Sequence, residues 1–242
     1  MRKKSFLSIL VFSMIFMSLY FGYFKVKNIL SRSEEISIAK IMKKDSPNMT
    51  IETFSLQETE GAELDWVLNA EKAHMFKKKD QMVFESVRTD IFNKQSKKEE
   101  YRIISKNGLY DMKKDKISLD EDVLIKTATG YEFLTDRVDY LVQTKKLDSH
   151  SKVSVSGHLN KQGSIKVQGR GLNGDLYSGD FGIEKDVFAS VGDAFKIESK
   201  SAIFNTKTSK AKFMQKVYAL KDELRIRGDE LELSYNSDGD IE

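Results

Sequence analysis

The sequence predicts an all-β protein built from two-strand repeats and preceded by one N-terminal transmembrane helix. Three observations carry this prediction. A short pattern, two apolar residues two apart and a small residue two further on, recurs six times: Trp66-x-Leu68-x-Ala70, Tyr101-x-Ile103-x-Ser105, Tyr131-x-Phe133-x-Thr135, Ile165-x-Val167-x-Gly169, Phe195-x-Ile197-x-Ser199 and Leu224-x-Ile226-x-Gly228. Successive side chains of a strand point to opposite faces, so apolar residues two apart mark a half-buried strand. The pattern also has echoes. An apolar or small residue follows each small one by three (Ala73, Gly108, Val138, Leu172, Ala202, Leu231), and a valine follows the first five by 17 or 18 (Val87, Val123, Val153, Val187, Val217). The unit is therefore about two strands long, and units of this size bury their apolar faces by stacking into one continuous core. The third observation is that no charged residue stands between Ser5 and Phe24.

That uncharged run is the first element. Phe6 to Phe21 is rich in bulky apolar side chains, and about 20 helical residues cross a hydrocarbon core of roughly 30 Å. Arg2, Lys3 and Lys4 precede the run, Lys25 and Lys27 follow it, and Tyr20 and Tyr23 stand where an interfacial aromatic belt falls. With the terminal amine, the preceding side is the more positive, which places the N-terminus in the cytoplasm. A cleaved leader needs small residues closing the apolar run. This run closes on Tyr20-Phe21-Gly22-Tyr23-Phe24, so it reads as a retained anchor, and with no cysteine there is no thiol to acylate. Residues 1–27 form the cytoplasmic tip and anchor, and 28–48 a tether. Within the tether, Ser31 to Lys44 fits a short helix or a polar segment, broken by Asp45-Ser46-Pro47-Asn48.

From Met49 onward the chain alternates strand and turn. The turns are written in lysine, aspartate, asparagine and glycine: Lys77-Lys78-Lys79-Asp80, Asn93-Lys94-Gln95-Ser96, Lys113-Lys114-Asp115-Lys116, Asn160-Lys161-Gln162-Gly163 and Ser237-Asp238-Gly239-Asp240. Between Lys116 and Ile125, the residues Ile117, Leu119, Val123 and Ile125 face one way if Glu121 marks a bulge or turn. A single proline lets long strands run. With 40 basic and 37 acidic residues the net charge of +3 gives no basic stripe for nucleic acid. Without cysteine, the exported part is held by packing and sheet hydrogen bonds alone.

The motifs that invite a catalytic or cofactor reading do not support one. Gly169-Arg170-Gly171-Leu172-Asn173-Gly174 has the dinucleotide spacing, but that fingerprint must open a helix, and Asp175 to Gly182 carries two more glycines and no helical period. The expectation is a strand whose small residues allow close packing or a bulge. His74, His150 and His158 show no metal-ligand spacing. No nucleophile or acid/base constellation is recognisable, so the chain reads as a non-enzyme without cofactor or metal. The lysines at the turn tips solvate and protect edges, or meet an anionic partner such as lipid phosphates.

A basic cytoplasmic tip with an anchor, Pro47, Glu60-Gly61 and Trp66-x-Leu68-x-Ala70-x-x-Ala73 resemble the start of the lipopolysaccharide export family LptC. Ser105-x-x-Gly108-x-Tyr110-Asp111, Ile117-x-Leu119-x-x-x-Val123, Thr129-Gly130-Tyr131-x-x-x-Thr135 and Gly169-x-Gly171-Leu172 are similar to the repeats of that family. The resemblance spans Met1 to about Ser190 and implies an antiparallel β-jellyroll in the periplasm, residues 49–191, whose apolar interior holds the acyl chains of lipopolysaccharide. It also implies an inner-membrane protein whose anchor and jellyroll edge meet an ABC transporter, and which passes lipid to a soluble periplasmic bridge protein of the LptA kind. Residues 192–242 depart from the family. They resemble the opening strands of the soluble, OstA-like relative, and either extend the jellyroll or begin a second module.

On this reading Phe84, Leu119, Val123, Phe133, Val153, Val167 and Ile183 line a lipid trough, though ordinary core positions have the same signature. Burial at roughly 25 cal/mol per Å² gives several kcal/mol for one acyl chain. The last repeat stops before its second strand, so the segment bearing Leu224, Ile226, Leu231, Leu233 and Tyr235 is expected to offer a free edge to a partner strand. The alternatives are an anchored envelope scaffold or signalling adaptor without a lipid ligand, and an anchored enzyme, which needs a catalytic constellation the sequence does not display.

Overall fold

The structure, a computed structural model, describes residues 38, 41, 46–61, 63–159, 163–192 and 195–234. The apolar run, most of the tether, the turns at 160–162 and 237–240 and Tyr235 lie outside the described residues. Ile38 and Ile41 are helical, and among the described residues no helix is long and apolar enough to cross a membrane. Met1–Lys44 and Asp45–Glu242 form separate units.

The second unit is all-β and antiparallel. Its strands are β1 (Met49–Glu60), β2 (Glu63–Phe76), β3 (Gln81–Phe92), β4 (Glu99–Asp111), β5 (Lys116–Thr127), β6 (Glu132–Leu141), β7 (Lys146–Leu159), β8 (Gly163–Asp175), β9 (Asp180–Val191), β10 (Phe195–Ser199), β11 (Ser201–Asn205), β12 (Lys210–Lys221) and β13 (Leu224–Ser234). They form one 13-stranded sheet in which β1 to β9 pair in chain order. β10 and β11 both lie between β9 and β12. Only Lys200 separates them, and its N–H donates to the Gln215 carbonyl. They are thus the two halves of one bent strand, and the segment from Phe195 to Ser234 continues the sheet rather than starting another. Among the described residues the sheet ends on β1 at one side and β13 at the other.

The turns recur with the same chemistry. Asn93, Asp111, Asp175 and Asn205 each accept, through a side-chain oxygen, the N–H groups two and three residues on. This is the Asx turn, which supplies locally the hydrogen bonds that the departing strand no longer makes. The first lysine-rich turn is a short 3₁₀ segment, Lys77–Lys79, closed by Asp80 in the left-handed region at φ 52°.

The strands are bent at their middles. The pairing register slips between Ile104 and Asn107, Asp120 and Val123, Thr135 and Asp139, Ser149 and Lys152, Gln168 and Arg170, and Met214 and Val217. Glu121 and Asp122, and Gln215 and Lys216, take positive φ at two of these sites, as Ser86 and Asp186 do on β3 and β9. Each register slip is a β-bulge, which bends its strand and strengthens the local twist. Aligned across the sheet, the bulges make a crease, and the sheet folds back over it. The Phe133 ring of β6 stacks on Phe181 of β9 at a centroid distance of 4.4 Å, although β7 and β8 lie between those strands in the sheet. Between the two layers runs one continuous buried apolar cluster, from Trp66 to Leu233.

Candidate functional site

The six-fold pattern of the sequence becomes rows of side chains that cross the sheet. The middle apolar residue of each repeat lies in a row that reads, strand by strand from β1, Leu56, Leu68, Thr89, Ile103, Ile125, Phe133, Val155, Val167, Ala189, Ile197, Ala219 and Ile226, each directly opposite the next. The small residues and the valine echoes form a second row, along the crease. Ala70 faces Val87, which faces Ser105; Val123 faces Thr135, then Val153, then Gly169; Val187 faces Ser199, and Val217 faces Gly228. The echo three residues after each small one belongs to a third row, beyond the crease, where Ala73, Phe84, Gly108, Leu119 and Val138 run into one another, as do Leu172, Ile183, Ala202, Phe213 and Leu231.

An odd offset between two inward-facing residues has one geometric meaning. In a regular strand inward positions are an even number apart, so a step of three marks an interruption of the regular strand at that level, and the registers place the extra residues of the bulges on the neighbouring β5, β7, β9 and β12. The interruption was therefore legible in the sequence, with a register slip beside it at β4, β6, β8 and β13 but none between Ala70 and Ala73 on β2, although the alternation argument located only the one at Glu121.

All seven trough candidates sit on these rows. Phe133 and Val167 lie on the first, Val123 and Val153 on the crease, and Phe84, Leu119 and Ile183 on the third. None is more than 3% exposed, and all belong to the one buried cluster. The edge residues are placed differently. Leu224 is 59% and Ile226 37% exposed, Leu233 is buried, and Leu231 is half-buried against the core. Their side chains follow the same inward rows, so the more exposed pair owes its exposure to the sheet ending there.

Among the described residues, the buried hydroxyls of Thr89, Tyr101 and Tyr140 interrupt this apolar interior, and those of Thr89 and Tyr140 have no hydrogen-bond partner. Burial pushes the Tyr101 phenol up to about 12, with neighbouring Thr206 acting in the opposite sense. Desolvation raises Tyr140 further still. Two ion pairs join opposite free margins of the folded sheet. Lys145, in the turn after β6, reaches Asp65 of β2 at 2.5 Å, and Lys207, in the turn after β11, reaches Glu100 of β4 at 2.8 Å. The alternation argument did not single out these polar groups, because their pairings span 80 and 107 residues (145 minus 65, 207 minus 100). His74 is held between Thr50 and Glu85. Among the described residues no group of three His, Asp or Glu side chains is placed to hold a metal.

The family model described as "Lipopolysaccharide-assembly, LptC-related" matches residues 10–191. The chain belongs to the LptC-related family. The match ends on the last residue of β9, so β10 to β13 lie beyond the matched LptC-related region while continuing its sheet. No curated protein matches the sequence. Among solved structures, the chain is similar to LptH from Pseudomonas aeruginosa, described as the LptA homologous periplasmic component of the conserved lipopolysaccharide transport device. The identity is 11% and the TM-score 0.37, over 44% of this chain and 76% of that one. Membership of the LptC-related family assigns this protein a role in lipopolysaccharide transport at the cell envelope.

Proposed function

We propose that the protein is the inner-membrane-anchored periplasmic component of lipopolysaccharide export. It takes lipopolysaccharide from an ABC transporter and hands it to a soluble periplasmic bridge protein of the LptA kind. The observation that carries this is the creased sheet of an LptC-related chain, whose three inward rows form one apolar interior crossing every strand. Such an arrangement works as a β-jellyroll whose two layers can splay, so that acyl chains lie between them in place of side-chain contacts. Transfer then needs no covalent step. Residues 5–24 serve as the anchor, with the N-terminus in the cytoplasm. Anchor and jellyroll edge meet the transporter, and β13 offers the bridge protein its unpaired backbone for β-augmentation.

The test is photo-crosslinking in cells. A photoreactive residue replacing Phe84 or Val153, both buried on the inward rows, is expected to capture lipopolysaccharide, whereas one replacing exposed Lys114 is not. Equal labelling at all three positions would defeat the idea of an interior lipid path. The 4.4 Å stack of Phe133 on Phe181 favours a second reading, an anchored scaffold whose interior is simply closed core. Lipid co-purifying with the membrane-extracted protein, identified by mass spectrometry, separates the two.

A further inference from the structure

A cleft of about 420 Å³ opens where the margins of the folded sheet meet. One lip carries Ile91, Glu100 and Tyr101, and the other carries Lys145, Leu176 and Lys207. Ile91, Tyr101 and Leu176 belong to the buried cluster, so the floor of the cleft is the apolar interior itself. The two lysines bind across the gap, Lys145 to Asp65 and Lys207 to Glu100. Lys207 also donates to the Tyr177 carbonyl, and Tyr177 stands 83% exposed at the rim. Beneath them the Tyr101 hydroxyl is closed off from solvent, beside Thr206. A polar ligand reaching into the cleft would meet this hydroxyl as well as the two lysines.

We propose that this cleft is the lateral entrance to the interior, and that Lys145 and Lys207 bind phosphate groups of an acylated amphiphile whose chains pass between the lips. This rests on the interior-lipid reading and adds to it a place and a chemistry. In the closed form the carboxylates of Asp65 and Glu100 occupy the positions that phosphate oxygens take in the open one. The ion pairs therefore hold the lips together until a stronger anion displaces them. Phosphate is suited to that exchange because it offers more acceptor oxygens and more charge than a carboxylate. The acyl chains then enter where the floor is already apolar.

The experiment uses the full chain in detergent, with labelled lipopolysaccharide and the same preparation stripped of phosphate as probes. Lys145→Gln/Lys207→Gln is expected to weaken binding of the phosphorylated lipid by about tenfold or more, the scale of losing charge-assisted hydrogen bonds, and to leave the stripped lipid unaffected. Lys145→Arg/Lys207→Arg should keep the preference. Asp65→Asn/Glu100→Gln, which releases both lysines from competition, should tighten the phosphorylated lipid severalfold. Equal loss for both lipids in the glutamine pair, or weaker binding in the carboxylate pair, overturns the proposal even if one variant folds poorly, because the two pairs are expected to move in opposite directions. Displacement of the lipid by inorganic phosphate alone would mark a free-anion site and overturn the assignment to an amphiphile. If the unaltered protein binds neither lipid, the interior-lipid reading itself fails.

Discussion

A methyl group at position 169 has nowhere to go. Gly169 faces Val153 along the crease, and a Cβ there meets Ile183 Cγ2 at 2.4 Å and the Lys185 carbonyl at 3.0 Å. The backbone oxygen cannot swing aside, so Gly169→Ala is expected to cost about 1–3 kcal/mol through overpacking, read as a lower urea midpoint with unchanged slope. The glycine-rich stretch that mimics a nucleotide fingerprint is thus explained in part by a close approach between strands. Tyrosines give a second residue-scale outcome. Burial raises Tyr101 and Tyr110 to about 12, and Tyr140 further. Each ionises more readily in the unfolded chain, where its pKa is about 10. Between the two values the unfolded state binds fewer protons, so stability is fully present below about pH 10 and falls as the pH rises toward 12. Tyr101→Phe should reduce that loss in urea titrations at about pH 9 and 11.5, because it removes one of the three groups that ionise.

Among the elements, the informative one is the bent strand. A flat strand of 12 to 14 residues, the length of β1 and β2, would present its apolar face as one extended stripe. With a bulge at mid-length, one half of each strand covers the other half of its neighbours, and the sheet becomes its own second layer. β10 to β13 take part fully in this, since Ile197, Phe204, Phe213 and Ala219 are buried in the shared cluster. Deleting Phe195 to Glu242 is therefore expected to lower the thermal midpoint of the purified protein while leaving its far-ultraviolet β signature. In cells the truncated protein should still associate with the transporter but no longer capture the bridge protein. Unchanged bridge capture would place the docking edge earlier, near Phe181 to Phe188, and leave the additional strands another purpose.

At the scale of the whole molecule, the charge pattern of the sequence predicts an orientation. If the basic N-terminus stays in the cytoplasm, a reporter that is inactive in the periplasm should give no signal when fused after Glu242, and a bright one would mean the opposite orientation. The all-β class, the two-strand unit, the turns at Lys77–Asp80, Asn93–Ser96 and Lys113–Lys116 and the burial of the seven candidates were all legible in the sequence. They depend on the alternation of side chains along one strand and on turn chemistry that acts over two or three residues. An interruption of the alternation was written there too, in the odd step from Ser105 to Gly108 and its counterparts. The tertiary structure alone decided which halves of the sheet face each other, that Phe133 meets Phe181, and that Asp65 and Glu100 hold Lys145 and Lys207 over Tyr101. Periodicity says which face of a strand is apolar. It carries no information about which distant strand that face meets, because apolar packing is non-directional and the partner is selected only when bulges, twist and closure act on the whole sheet together.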